Sequence, residues 1–496
     1  MMGIKGRTFA PLCNVSLEAL VTPEHFYRHL DARLDLGFVR DLVRYTYKAA
    51  GRPSIDPVVF FKLQLVMFFE GIRSERELVR VASDRLSVRW YLGYDLHEPL
   101  PDHSSLTRIR QRYGLTVFRR FFEQIVEQCR AAGLVWGREL YFDATQVDAN
   151  ASVDSIAPRF AVESHLGELF SGESADAPSA MEQNEPPQEL LVSAADLWEE
   201  LTETNAARHD WLARDGRPDR TVRHGSYRRR TDFEASTTDP DAALMARKKG
   251  GLHFGYHDHY AVDGGKRRMI LGVLVTPADV MENQPFLDLL WRVRARWHLP
   301  LRQVTGDTTY ATIENIVAVE DQGIRAYVPL ADWDRTAYYG PSRFSYDATL
   351  DVYRCPQGQP LRRHNAKYTE QVLVYKADAR TCNSCPVKPA CTPSDSGRQV
   401  YRSFYADYLD RVRSYQATAA YQKAVRKRSV WVEPLFGEAK DWHGLQRFRL
   451  RGLWKVNVEA LLIAAGQNLK RLLHKRGWGR RPFPRGAPAV AGALPC

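Results

Sequence analysis

Between residues 139 and 330 the hydrophobic pattern switches between a period of two and a period near 3.6, and this alternation constrains the fold more than any other feature of the chain. Glu139 to Val147 (ELYFDATQV) alternates around an apolar centre and reads as a buried strand. Two further strands, Leu252 to Val262 and Arg268 to Val275, flank Asp263-Gly264-Gly265, whose residues suit the tight turn of a hairpin. A helix over 285–297, a strand ending at Asp307, a helix over 312–322 and a strand over 325–330 complete the series. Strands and helices in this order bury their apolar faces together in a mixed sheet with helices on its faces, so the expected fold class is α/β.

The flanks follow other rules. Residues 1–135 read as an all-α domain. Asp56-Pro57 caps and opens one helix, Ser74-Glu75-Arg76-Glu77 forms a capping box, and a third helix begins near Asp102. That third helix carries Leu106, Ile109 and Tyr113 on one side and Arg108, Arg110 and Arg112 on the others, which suits either a helix-turn-helix reading DNA or a bundle helix with a solvated basic face. A further amphipathic helix over 117–132 stops at Gly133. Residues 155–225 lack strand pattern and read as an insertion, helical near 190–201. The expected division is therefore a helical domain over 1–135, a sheet domain over 136–334 and 401–478 that closes with helices around 417–443 and 453–475, a cysteine-rich insertion of turns over 335–400, and a disordered tail over 479–496. No apolar run reaches the roughly 18 residues of a membrane span, and the amino terminus lacks a signal-peptide pattern. The expectation is a cytoplasmic, nucleoid-associated protein that does not contact membrane.

Charge is distributed unevenly. Of a net +11, residues 401–485 carry 19 Lys/Arg against 6 Asp/Glu, while residues 161–205 carry 11 acids and no Lys or Arg. A basic block interleaved with Trp431, Trp442, Phe448 and Trp454 points to a polyanion, and nucleic acid is the natural one.

Three carboxylates stand where a metal site would need them. Asp143 lies inside an apolar strand, where an unpaired charge is costly. Asp307 ends another strand, a usual place for a site in an α/β sheet. Glu433 lies among apolar residues on a helix expected to pack against that sheet. Hard oxygen ligands in small number suit the divalent ions that phosphodiester chemistry uses.

The segments around these acids resemble insertion-sequence DDE transposases. YFDATQVDANAS around Asp143 looks like their first catalytic strand, VTGDTTYAT around Asp307 like their second, and VEPLFGEAKDWHGLQRFRLRGLWKVNVEALLIAAGQNLKRL like their final helical stretch, with Glu433 as the last acid. LPDHSSLTRIRQRYG is similar to part of their amino-terminal helical domain. The resemblance implies a ribonuclease-H-like core in which Asp143, Asp307 and Glu433 hold two magnesium (or manganese) ions. It further implies action on double-stranded DNA, transposon ends and target alike, by a homodimer. Lys440, seven residues past Glu433, is placed to meet phosphate, and Arg426, Arg428, Arg447, Arg449 and Arg451 are further DNA-contact candidates. Relatives often carry tyrosine seven and arginine four residues before the glutamate; here those positions are Arg426 and Ser429. Pro434 requires a kink or a helix start. Two other functions share these features: a DNA-binding regulator that has lost its chemistry, and a ribonuclease-H-type nuclease without strand transfer.

Cys355, Cys382, Cys385 and Cys391 have zinc-site spacing, closed to catalysis if all four bind; four reduced, unliganded thiols are the alternative. His253, His257 and His259 share one strand face, readable as a metal site or as a solvated or DNA-facing strand.

Overall fold

A computed structural model describes residues 16–48, 54–159, 161–162, 210–211, 234–246, 251–332, 334 and 337–479. The helix expected over 190–201, nearly all of the acidic run and the tail beyond residue 479 lie outside the described residues. The chain divides into two compact units, one of Met1–Gly137, Ala144–Pro285 and Trp431–Cys496, the other of Arg138–Asp143 and Phe286–Val430.

In the first unit the amino-terminal helices start where the capping chemistry places them. Asp56 accepts the Val58 N–H at 2.8 Å ahead of the Pro57–Glu70 helix, and Gly71 ends that helix at φ +66°, a conformation that costs glycine little. This helix buries residues on every side, including Phe60, Phe61 and Val66, as a helix inside a bundle must. Ser74 caps Glu75–Asp84 through the Glu77 N–H. His103–Ala131 is one helical run interrupted at Gly114 (φ 62°, ψ 179°), so the two helices expected there follow each other directly.

The main sheet contains β1 (Glu139–Asp148), β4 (Ala243–Ala246), β5 (Leu252–Asp263), β6 (Ile270–Pro277), β7 (Gln303–Thr305) and β8 (Arg325–Tyr327). Its order is β4-β5-β1-β7-β8, with β6 also on β5. β4 and β6 run antiparallel to β5, whereas β1, β7 and β8 are parallel. Two short strands, β2 (Ile156–Pro158) and β3 (Glu234–Ser236), pair separately. The molecule is thus mixed α/β with a helical amino-terminal region, the architecture of a ribonuclease-H-like domain.

Among the described residues β6 pairs only with β5, and an open edge invites unwanted pairing. The carboxy-terminal helix Leu453–Lys475 covers it with amide side chains. Asn457 takes the Val275 N–H at 2.8 Å and gives to the Val275 carbonyl at 3.0 Å; Asn468 does the same at Ile270, at 3.0 and 2.8 Å. The helix entrance is capped by residues over 200 positions away: Gly452 N–H donates to Asp239 at 2.9 Å and Leu453 N–H to Asp241 at 2.7 Å.

In the second unit, helix Phe286–Trp297 leads into β7 and helix Ile313–Glu320 connects β7 to β8. The region expected to be mainly turns is a five-stranded antiparallel sheet, ordered β13-β12-β11-β10-β9. It comprises β9 (Ser345–Asp347), β10 (Val352–Arg354), β11 (Pro360–Lys367), β12 (Val372–Ala377) and β13 (Gln399–Ser403). Leu361, Tyr375 and Val400 form its core. The helix expected over 417–443 is two helices, Ala419–Trp431 and Glu433–Trp442, and Pro434 sits in the first turn of the second, where its missing N–H costs nothing.

Candidate active site

Strand register brings the two aspartates together. In the parallel β1/β7 ladder Tyr141 pairs with Thr305, so Asp143 and Asp307, each two residues further on, stand level, Asp143 within β1 and Asp307 just past the end of β7. Asp143 and Asp307 each present a carboxylate oxygen, within 4.8 Å of each other, a spacing that a divalent ion can bridge. Asp143 is only 9% exposed, too little to leave its charge to water. Arg428, from the helix ending at Trp431, meets its Oδ2 at 2.9 Å, and the adjacent Lys427 meets Glu139 at 2.8 Å. Asp307 Oδ1 accepts the Thr309 N–H at 2.8 Å, which fixes its carboxylate at the start of a single 3₁₀ turn.

Glu433 is the exposed first residue of its helix.

The basic candidates have different surroundings. Arg108 is exposed. Arg110 is buried against Glu75, and its guanidinium is pushed down to about 9 by burial and by Arg449 nearby. Arg112 is buried with its guanidinium 4.8 Å from the Tyr47 ring centre. After Gly444, whose φ of +71° turns the chain, residues 446–448 run beside the end of β1: Asp148 N–H donates to the Gln446 carbonyl at 3.0 Å and Phe448 N–H to the Asp148 carbonyl at 2.9 Å. Phe448 is buried and Arg447 exposed. Arg449 is held inside the fold by Glu75 at 3.4 Å, while its N–H donates to Glu459 at 3.0 Å. Arg451 is exposed and donates to the Asn150 carbonyl at 2.9 Å. Lys440 donates to the Gln146 carbonyl at 2.9 Å, and Arg426 is exposed, bonded to the Gln422 carbonyl at 3.2 Å.

The histidine strand is not a solvated or DNA-facing one. His253, His257 and His259 are buried. His253 faces Asp148 at 3.0 Å, His257 the Val280 carbonyl at 3.0 Å, and His259 the Thr276 hydroxyl at 2.9 Å. Burial pushes His257 down and His259 well below the ordinary histidine value, so both are neutral at pH 7. β5 belongs to the core of the sheet, and an alternating pattern cannot tell a strand with one covered face from a strand with two.

Cys355, Cys382, Cys385 and Cys391 all line one cavity of about 520 Å³. Among the described residues no three of their sulfurs lie within 4.8 Å of one another.

A ribonuclease-H-like sheet with carboxylates gathered on neighbouring parallel strands defines a class of polynucleotide-processing enzymes. Residues 15–112 match a model described as a transposase domain (DUF772), and residues 354–473 match a transposase DDE domain. The two matches support an insertion-sequence DDE transposase, a family of nucleotidyl-transferring enzymes that typically use divalent metals. The second match takes in Glu433, Lys440 and all four clustered cysteines, while Asp143 and Asp307 fall outside it. No curated protein and no solved structure matches the chain. Among the described residues no helix is long and apolar enough to cross a membrane.

Proposed function

We propose that this protein binds the terminal inverted repeats of an insertion sequence, cuts DNA strands there and transfers the freed 3′-hydroxyl to target DNA, working as a homodimer. The register-matched pair Asp143 and Asp307 is the observation that carries this reading. Two magnesium or manganese ions, when bound, would activate the attacking water or 3′-hydroxyl and stabilise the leaving oxygen. The protein's part is to hold the carboxylates. β1 and β7 fix the spacing of the two aspartates, and the Thr309 N–H orients one of them. Arg428 neutralises Asp143 before metal arrives. Glu433, on its exposed helix start, is proposed as the third acid. Arg108, Arg426, Arg447 and Arg451, exposed, and Lys440 would hold the phosphate backbone. A structural zinc on the four cysteines belongs to the same proposal.

The test uses DNA carrying the element's own ends. Asp143→Asn should lower strand cleavage by at least about 10²–10³-fold, the scale of losing one preorganised electrostatic group, with end binding intact. Unchanged cleavage would leave a regulator or another active site. Glu433→Gln should lose cleavage as well; unchanged cleavage in that variant would remove Glu433 from the third position. Cleavage without joining in the wild type would identify a plain nuclease.

A further inference from the structure

The antiparallel β11/β12 ladder sets Arg362 directly opposite Lys376. Opposed residues in such a ladder project from one face, and two cations there repel. Among the described residues neither side chain has an acid or a hydrogen-bond acceptor as partner. Both line the cysteine-bearing cavity, together with Arg363, His364, Lys388 and Arg398, and Asp378 is its one acidic lining residue among those described. Nearby acids account for only part of this charge: Lys388 meets Asp395 at 2.7 Å, and Arg363 lies 4.0 Å from Asp351. Arg398 spends its donors on the carbonyls of Cys391 and Tyr339, at 3.1 and 2.8 Å. Between Arg354 and Arg398 the sequence holds eight Lys/Arg against three Asp/Glu. A small sheet that opposes like charges and supplies no acid for them is built for an anion from outside.

We propose that the β9–β13 sheet is a DNA-docking surface, with the phosphate backbone of duplex DNA laid across Arg362 and Lys376 at the mouth of the cavity. A phosphate backbone fits better than a lone anion because its charges repeat and meet both cations at once. The planar guanidinium of Arg362 matches a pair of phosphate oxygens. Such contacts position DNA without reading its sequence. This inference rests on the DNA-processing reading above.

The experiment is a salt titration of the full-length protein on a duplex of unrelated sequence, comparing wild type, Arg362→Gln/Lys376→Gln, and the charge-keeping Arg362→Lys/Lys376→Arg. Zinc content and melting temperature are followed in each. The glutamine pair should flatten the plot of log affinity against log salt by about 1.8, which is 0.9 for each of two lost phosphate contacts. Its melting temperature should hold or rise, because a repulsion has been removed. The charge-keeping pair should retain the wild-type slope, which separates loss of charge from loss of fold. Wild-type slope and affinity in the glutamine pair overturn the docking surface alone. Failure of the wild type to bind any duplex overturns both this inference and the transposase reading. Displacement of an acidic peptide instead of DNA from the same residues would also overturn it.

Discussion

At the scale of single residues, His443 shows how burial sets chemistry. Its ring stacks on Phe68 with centres 3.8 Å apart, and Nδ1–H donates to the Phe68 carbonyl at 3.1 Å. Burial, with Lys470 adding repulsion, pushes its pKa to about 4. An unfolded histidine titrates near 6.5, so between those values the unfolded chain binds more protons than the folded one. Stability from this residue is complete above about pH 6.5 and is lost as the pH falls towards 4, by on the order of 2 kcal/mol. His443→Gln keeps an N–H donor without the titration, so its melting temperature should fall less than the wild type's between pH 7 and pH 4.5. Parallel declines would show that His443 does not contribute. Asp143 was legible at this scale because a carboxylate inside an apolar strand stands out, and Asp307 because it ends one. The pairing of Arg428 with Asp143 was not, because nothing in the neighbours of that arginine says which acid it meets.

At the scale of elements, the helix Leu453–Lys475 was readable to its ends, since its apolar stripe is long and strong. Its buried amides were not, because what they satisfy is the edge of a strand 182 to 198 residues away. Asn468→Ala would leave the Ile270 N–H and carbonyl buried without partners, at roughly 1–3 kcal/mol for each group. Urea unfolding should register a loss of about 2–4 kcal/mol, and a change below 1 kcal/mol would mean that water or relaxation replaces the amide. The insertion behaves differently. Its strands were missed because Arg362, Arg363, His364 and Asn365 are all exposed, which erases the alternation that marks a strand. The cysteine spacing was visible, but a four-thiolate zinc with bonds near 2.3 Å needs sulfurs about 3.8 Å apart, closer than the open cavity holds them. On the zinc proposal the ion must draw the sulfurs together, and freshly reduced protein should carry about one zinc per chain, with sulfur-only ligation near 2.3 Å by X-ray absorption. Metal-free protein with the same melting temperature would leave four ordinary thiols.

At the scale of the whole molecule, the sequence by itself determined the order of β1 and β5 to β8 with the helices between them, the capped helix starts and the two candidate aspartates. Each of these is a local event: a hydrophobic period, a cap three residues away, a charge among its own neighbours. Tertiary structure decided which positions share a place. The level stance of Asp143 and Asp307 follows from the register of β1 and β7, whose paired residues are 164 positions apart. The burial of Arg110 and Arg449 against Glu75 joins three segments whose local patterns read simply as basic or capping. Asp239 and Asp241 cap a helix that begins more than 200 residues later. Periodicity states which face of an element turns inward, and it is silent about what meets that face, because the partner is selected by the packing of the complete chain.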